Sequence, residues 1–175
     1  MKATRLGCIT AALLLACSGG ADLGSAPRFL AGLEIHHEIN GPRALEAVRR
    51  LHGETPIEIV NAWLAQYGTG PSAMLYVGTA RDGEKASQIV EAMGRRIAED
   101  ETPFHGIRPA NLFGSDLYTM AGQGQFHFLF QIRDRVVWLS ADPPVACRAL
   151  AEALSRHADS SCELWLDSPA RRRVP

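Results

Sequence analysis

The most constraining stretch of the chain is Gln125 to Ile132, where Phe126, Phe128, Phe130 and Ile132 alternate strictly with Gln125, His127, Leu129 and Gln131. Successive side chains of a strand point to opposite faces, so a period of two places the three phenylalanines and Ile132 on one buried face. A strand that greasy on one side needs a sheet around it. Asp134-Arg135 reads as a turn and Val136 to Ala141 as the returning strand. A register that sets Arg133 opposite Val136 brings Ile132 to Val137 and Phe130 to Leu139, so both strands feed one core. The other parity then places Gln131 beside Trp138 and His127 beside Asp142.

Asp142-Pro143-Pro144 has the composition of a helix start, with the aspartate as N-cap and prolines where a missing N–H costs nothing. The helix it predicts runs to about His157 and buries Val145, Ala146, Ala149, Leu150, Ala153 and Leu154. An earlier hairpin has the same plan. Ile57 to Tyr67 and Ser72 to Thr79 are two extended runs around Gly68-Thr69-Gly70-Pro71. Asp82 then caps a helix to about Glu99, whose Ala86, Ile89, Val90, Met93 and Ile97 trace a single face. A first helix is predicted over Pro42 to His52, with Ala44, Leu45, Val48 and Leu51 as its apolar stripe.

Residues 100–115 are the longest stretch that reads as irregular. The order of elements gives an α+β fold: an antiparallel or mixed sheet built from two hairpin-plus-helix units, with helices packed on a sheet face and a short last strand at 163–166. Its order resembles a ferredoxin-like split arrangement, without a shared residue motif.

The beginning of the chain follows different rules. Lys2 and Arg5 precede an apolar run from about Leu6 to Leu15, and small residues follow; this is the layout of a secretory signal peptide. The run is shorter than the ~20 residues a membrane-spanning helix needs. Leu14-Leu15-Ala16-Cys17, followed by Ser18-Gly19-Gly20, resembles the lipobox of bacterial lipoproteins. That resemblance implies lipid transfer to the Cys17 thiol, cleavage before it and acylation of the new amino group, so the lipid bilayer becomes a partner through acylated Cys17. It places the mature chain outside the cytoplasm in the cell envelope. Ser18 rather than an aspartate favours the outer membrane if the source has one. The organisation expected is a signal peptide at 1–16, a lipidated N-terminus and flexible tether at 17–28, one α+β domain at 29–168, and a basic tail at 169–175 containing Arg171-Arg172-Arg173.

Cys8 leaves with the leader, so Cys147 and Cys162 remain, and an even pair in an oxidising compartment favours a disulfide. Their spacing is not that of a redox Cys-x-x-Cys motif. With Lys2 and Arg5 removed, 16 basic residues face 19 acidic ones. That balance gives no basic face for nucleic acid.

Chemistry is thin. His36-His37-Glu38 is the most metal-like cluster, but adjacent residues of a strand point opposite ways, so His36 and Glu38 could share a face without His37, and a zinc site needs more ligands than these two. His127 with Asp142 has the orienting geometry of a general base, yet no serine or cysteine stands ready as nucleophile. Gly122-Gln123-Gly124 lacks a dinucleotide-binding context, and no cofactor is implied. Gln125, His127, Gln131, Trp138 and Asp142 are therefore read as a candidate ligand or partner surface. The function expected is a non-enzymatic envelope accessory or binding domain, with an envelope protein as a possible partner. The alternatives are a hydrolase or metal-dependent enzyme centred on His127 and Asp142, with His36 and His105 as other candidate participants, and a purely structural envelope protein.

Overall fold

The computed structural model describes residues 23–52, 58–99, 102–155 and 162. The leader, Cys17, the start of the tether, the short strand expected at 163–166 and the basic tail lie outside them. The elements are β1 (Phe29–Leu30), β2 (Leu33–Asn40), α1 (Gly41–His52), β3 (Ile59–Tyr67), β4 (Ala73–Ala80), α2 (Gly83–Glu99), β5 (His105–Leu112), β6 (Ser115–Gly122), β7 (Gln125–Ile132), β8 (Arg135–Ala141) and α3 (Ala146–Ala153). The eight strands form a single antiparallel sheet in the order β1-β2-β3-β4-β8-β7-β6-β5. The fold is α+β, with three helices packed against that sheet.

The helices divide between the two faces, where the sequence suggested one. On one side α3 covers Trp63, Ala65, Leu75, Val77, Phe128, Phe130, Val137 and Leu139. On the other, α1 and α2 cover Ala62, Leu64, Met120, Leu129, Val136 and Trp138. These two sets have opposite parity along each strand, as period-two pleating requires. Both faces are covered, so β7 is buried through His127, Phe128, Leu129 and Phe130 alike. Bulges between Ile35 and His37 and between Ile59 and Asn61 flip this parity, which moves Ile39 and Ile59 onto the α1–α2 side.

The β7–β8 hairpin differs from expectation by two residues. Ile132 pairs with Arg135, Phe130 with Val137 and Phe128 with Leu139. A shift of two preserves the faces, so the core was right and the individual partners were wrong. The reason is a two-residue turn placed one position earlier, at Arg133-Asp134 rather than Asp134-Arg135: Arg133 takes a positive φ of 55° and the strand resumes at Arg135.

Residues 105–112, expected to be irregular, are β5. Among the described residues this strand is an outer edge paired with β6 alone, and there Pro109 costs no ladder bond on its open side. Phe113-Gly114 closes the hairpin with φ values of 54° and 72°, as Gln123-Gly124 closes the next one with 54° and 77°. Positive φ at both central residues is the two-residue hairpin turn that matches strand twist. A bulky phenylalanine in that position hides the signal.

Asp82 caps α2 as expected, its Oδ1 accepting from the Lys85 N–H at 2.8 Å. Asp142 does not cap α3, which starts at Ala146 with Val145 at its N-cap and no side-chain capping bond. Every alanine of α3, together with Cys147 and Leu150, is buried, which lets the helix lie close on the sheet. Cys147 is joined to Cys162 with the Cα atoms 5.7 Å apart. Leu23, expected within the flexible tether, is 7% exposed and joins the α3-side core, where its carbonyl accepts from Trp63 Nε1 at 2.9 Å.

Candidate functional site

Helix α1 rests on β2 and β3, while α2 rests on β7, β8 and β4. Between them a groove opens over that face of the sheet, and strand register arranges the face in rows. Gln66, Met74, Ser140 and His127 form one row across β3, β4, β8 and β7. Leu64, Tyr76, Trp138 and Leu129 form the next, then Ala62, Gly78, Val136 and Gln131. Of these rows the groove is lined by Gln66, Met74, Ser140 and His127, then by Tyr76 and Trp138, then by Gly78 and Val136, so its floor grades from largely polar, through aromatic, to small and apolar. At the apolar end a Cβ on Gly78 would sit 3.0 Å from the Ile59 side chain, so glycine there gives Ile59 its seat.

The walls are Val48, Leu51 and His52 from α1 and Ile89, Met93, Arg96 and Ile97 from α2. Phe104 and Gln123 flank the polar end, and the whole groove encloses about 720 Å³. That is within the ordinary range of small-molecule sites, about 300–1,000 Å³. Among the described residues its lining contains no aspartate or glutamate, although the Asp142 carboxylate is bonded to the lining residues Ser72 and Gln125. Burial raises the pKa of the Tyr76 phenol, so that ring stays neutral.

Phe104, His127 and Trp138 make an edge-on aromatic cluster in this wall, with ring centroids 4.8 to 5.7 Å apart. Phe104 reaches it because Gly122 has no side chain; a Cβ there would meet the Pro103 carbonyl at 2.7 Å and Phe104 at 2.8 Å. His127, 4% exposed, has both ring nitrogens engaged. Trp138 Nε1 donates to Nδ1 at 3.2 Å, and Nε2 lies 3.0 Å from the Gly122 carbonyl. An indole N–H only donates, so Nδ1 must accept and Nε2 carries the proton given to Gly122. Desolvation lowers the His127 pKa, opposed by the Gly122 bond. The imidazole is a neutral, doubly bonded wall residue.

Asp142 is not beside His127. Ser140 occupies that register position, and the Asp142 carboxylate instead accepts from Gln125 Nε2 at 2.9 Å and from the Ser72 N–H at 2.7 Å. These bonds, Gln125 first, hold its pKa below the usual value against the opposing effect of burial. Of the surface expected from sequence, Gln125, His127 and Trp138 line the groove. Gln131 does not: its amide donates to the Gly83 and Arg133 carbonyls and ties the start of α2 to the β7–β8 turn.

His36, His37 and Glu38 are exposed on β2, and His105 is exposed on β5. Among the described residues no group of three or more histidine, cysteine or acidic side chains is placed to hold a metal. Met74, Tyr76, Met93 and Phe104 are site residues the sequence did not single out. Only the pairing of β4 with β8 brings the first two under α2, and a long-range pairing leaves no local signal. Comparison with protein-family models, with curated proteins and with solved structures returned no match.

Proposed function

We propose that this chain is a lipoprotein of the cell envelope, anchored through acylated Cys17, whose domain binds an apolar ligand in the groove between α1 and α2 without catalysing a reaction on it. The observation that carries this reading is the groove itself: an aromatic and methionine-bearing cleft whose one buried histidine has both nitrogens committed to Trp138 and Gly122. Concave, mostly apolar surface with a few polar groups at one end is what ligand sites offer. A general base needs a nitrogen open to substrate, and His127 supplies none.

The anchor half of the proposal rests on Leu14-Leu15-Ala16-Cys17. Several acyl chains on one cysteine hold a protein where a single chain binds reversibly. An outer-membrane location follows from Ser18 if the source is diderm.

Two measurements test the two halves. Expression of the precursor in a bacterial host should yield a membrane-bound product with the mass of the cleaved, acylated chain, and Cys17→Ser should abolish both; an unmodified soluble wild-type product would refute the anchor. For the groove, an uncharged adamantyl diazirine photolysed with the mature protein in vesicles should label Met74, Tyr76, Ile89 and Met93. Met93→Trp, which fills the groove from the half-exposed side of α2, should remove the label at an unchanged melting temperature. Labelling spread evenly over the surface would refute the site.

A further inference from the structure

Ser140, on β8, is 6% exposed and lines the groove floor. Its register neighbours are Met74 on β4 and His127 on β7, and both nitrogens of His127 are taken by Trp138 and Gly122. Among the described residues the Ser140 hydroxyl has no hydrogen-bond partner. Other polar side chains of the lining are bonded within the protein: Ser72 and Gln125 to Asp142, and Thr102 to the Phe104 carbonyl. Gln66 and Tyr76 also lack partners among the described residues, but neither is as enclosed as Ser140. A hydroxyl shut in to that degree costs free energy when nothing bonds it.

Resting on the reading of the groove as an apolar site, we infer that Ser140 seats the hydroxyl of an uncharged lipid, a long-chain alcohol whose apolar body lies over the Tyr76–Trp138 row and ends toward Gly78 and Val136.

The direction of the body comes from the strand. Ser140, Trp138 and Val136 follow one another on the groove face of β8, paired with Met74, Tyr76 and Gly78 of β4. At about 3.3 Å per residue, the four-residue span from Ser140 to Val136 is about 13 Å. Beyond Ser140 in that direction the floor offers aromatic and then small apolar surface. A molecule with its polar group at one end and hydrocarbon along the rest matches this order.

Charge excludes the corresponding acid. Ser140 and Gln66, the row that would meet the headgroup, are neutral. The ionisable side chain bonded into this end is acidic: the Asp142 carboxylate, held by Ser72 and Gln125. Arg96 has an interaction of its own, and Nδ1 of His52 lies 2.8 Å from the Val48 carbonyl. A carboxylate headgroup would trade its hydration for neutral groups beside another carboxylate, which costs free energy. An alcohol gives up one bond to water and gains one to Ser140.

A peptide strand is excluded by the sheet. The floor strands β4 and β8 pair with each other and with β3 and β7, so neither offers an edge. A strand laid across them would leave its own amides without partners.

The test is photolabelling of the mature protein in vesicles with a diazirine-bearing dodecanol, followed by competition at about pH 8, where a carboxylic acid is ionised. Labels are expected on Tyr76, Ile89 and Met93. With competitors compared at equal concentration in the membrane, dodecanol should displace the probe about five-fold better than dodecane, the effect of one neutral hydrogen bond. Dodecanoate should displace it about ten-fold less well than dodecanol. Ser140→Ala should remove the advantage of dodecanol over dodecane, and the wild-type ratios decide the matter if that variant does not fold. Equal displacement by dodecanol and dodecane in wild type, an advantage that survives in Ser140→Ala, or better displacement by dodecanoate or by an amphipathic helical peptide would overturn the inference. Labelling of the groove by the adamantyl probe but not by the dodecanol probe would overturn it too, and would leave the apolar site standing; failure of both probes would remove the site itself.

Discussion

Trp138 donates its indole N–H to Nδ1 of His127 across 3.2 Å, from β8 to β7, and this bond fixes the imidazole as the neutral tautomer protonated at Nε2. The consequence is a pH dependence of known sign. His127 is harder to protonate folded than unfolded, so the unfolded state takes up the proton first as pH falls. Stability is complete above about pH 6.5, the unfolded value, and declines as the pH drops below it toward the lowered folded value. His127→Phe should flatten this part of the profile in thermal melts. At pH 7 the same variant should lose about 1–3 kcal/mol, because the Trp138 N–H and the Gly122 carbonyl are left without partners.

Asp142 acts in a lower pH window. Its carboxylate bonds to Gln125 and Ser72 and is favoured in the folded state, so its contribution is present above about pH 4 and is lost as the pH falls through the depressed folded value. Asp142→Asn keeps the shape but turns an amide donor toward existing donors. A loss of about 1–3 kcal/mol is expected in urea unfolding at pH 7, with a flatter profile below pH 4.

Gly94 is a sharper test of the packing of α2. Exposed helix glycines gain roughly 1 kcal/mol on replacement by alanine. At Gly94 the new Cβ would stand 2.7 Å from two atoms of the Tyr118 ring, well inside contact distance. Overpacking of this kind costs about 1–3 kcal/mol, so Gly94→Ala should be neutral to destabilising in thermal melts where propensity alone forecasts a gain.

Much of this was legible in the sequence where the signal is local. The Phe126-to-Ile132 alternation, the β3–β4 hairpin, the α2 stripe and its Asp82 cap all depend on residues within one or two turns of each other. The His127–Asp142 pairing failed because a two-residue change of register conserves every face and replaces every partner. Strands β5 and β2 were hidden for a related reason: at or near a sheet margin, Gly106, Pro109 and the exposed His36-His37-Glu38 are tolerated, and their composition reads as loop. The groove was not legible at all. It arises from β4 pairing with β8 and from the distance between two helices, neither of which any local pattern records.

The Cys147–Cys162 bridge closes a separation of 15 residues and ties position 162 to α3. In the loop-entropy description such a bridge is worth about 3 kcal/mol. Reduction, or Cys147→Ser with Cys162→Ser, should lower stability by that order. The folded sheet should survive, because the strands pair without help from the bridge; loss of all cooperative unfolding would show that the bridge is needed for folding itself.

The most direct test of the account as a whole is methyl-resolved NMR of the mature protein in nanodiscs, titrated with an uncharged apolar ligand. Saturable shifts are expected at Val48, Met74, Ile89, Met93 and Ile97, with Val77, Val137 and Leu139 on the opposite face unmoved. Shifts concentrated on Val77, Val137 and Leu139, or no saturable shift at the five groove residues, would contradict it.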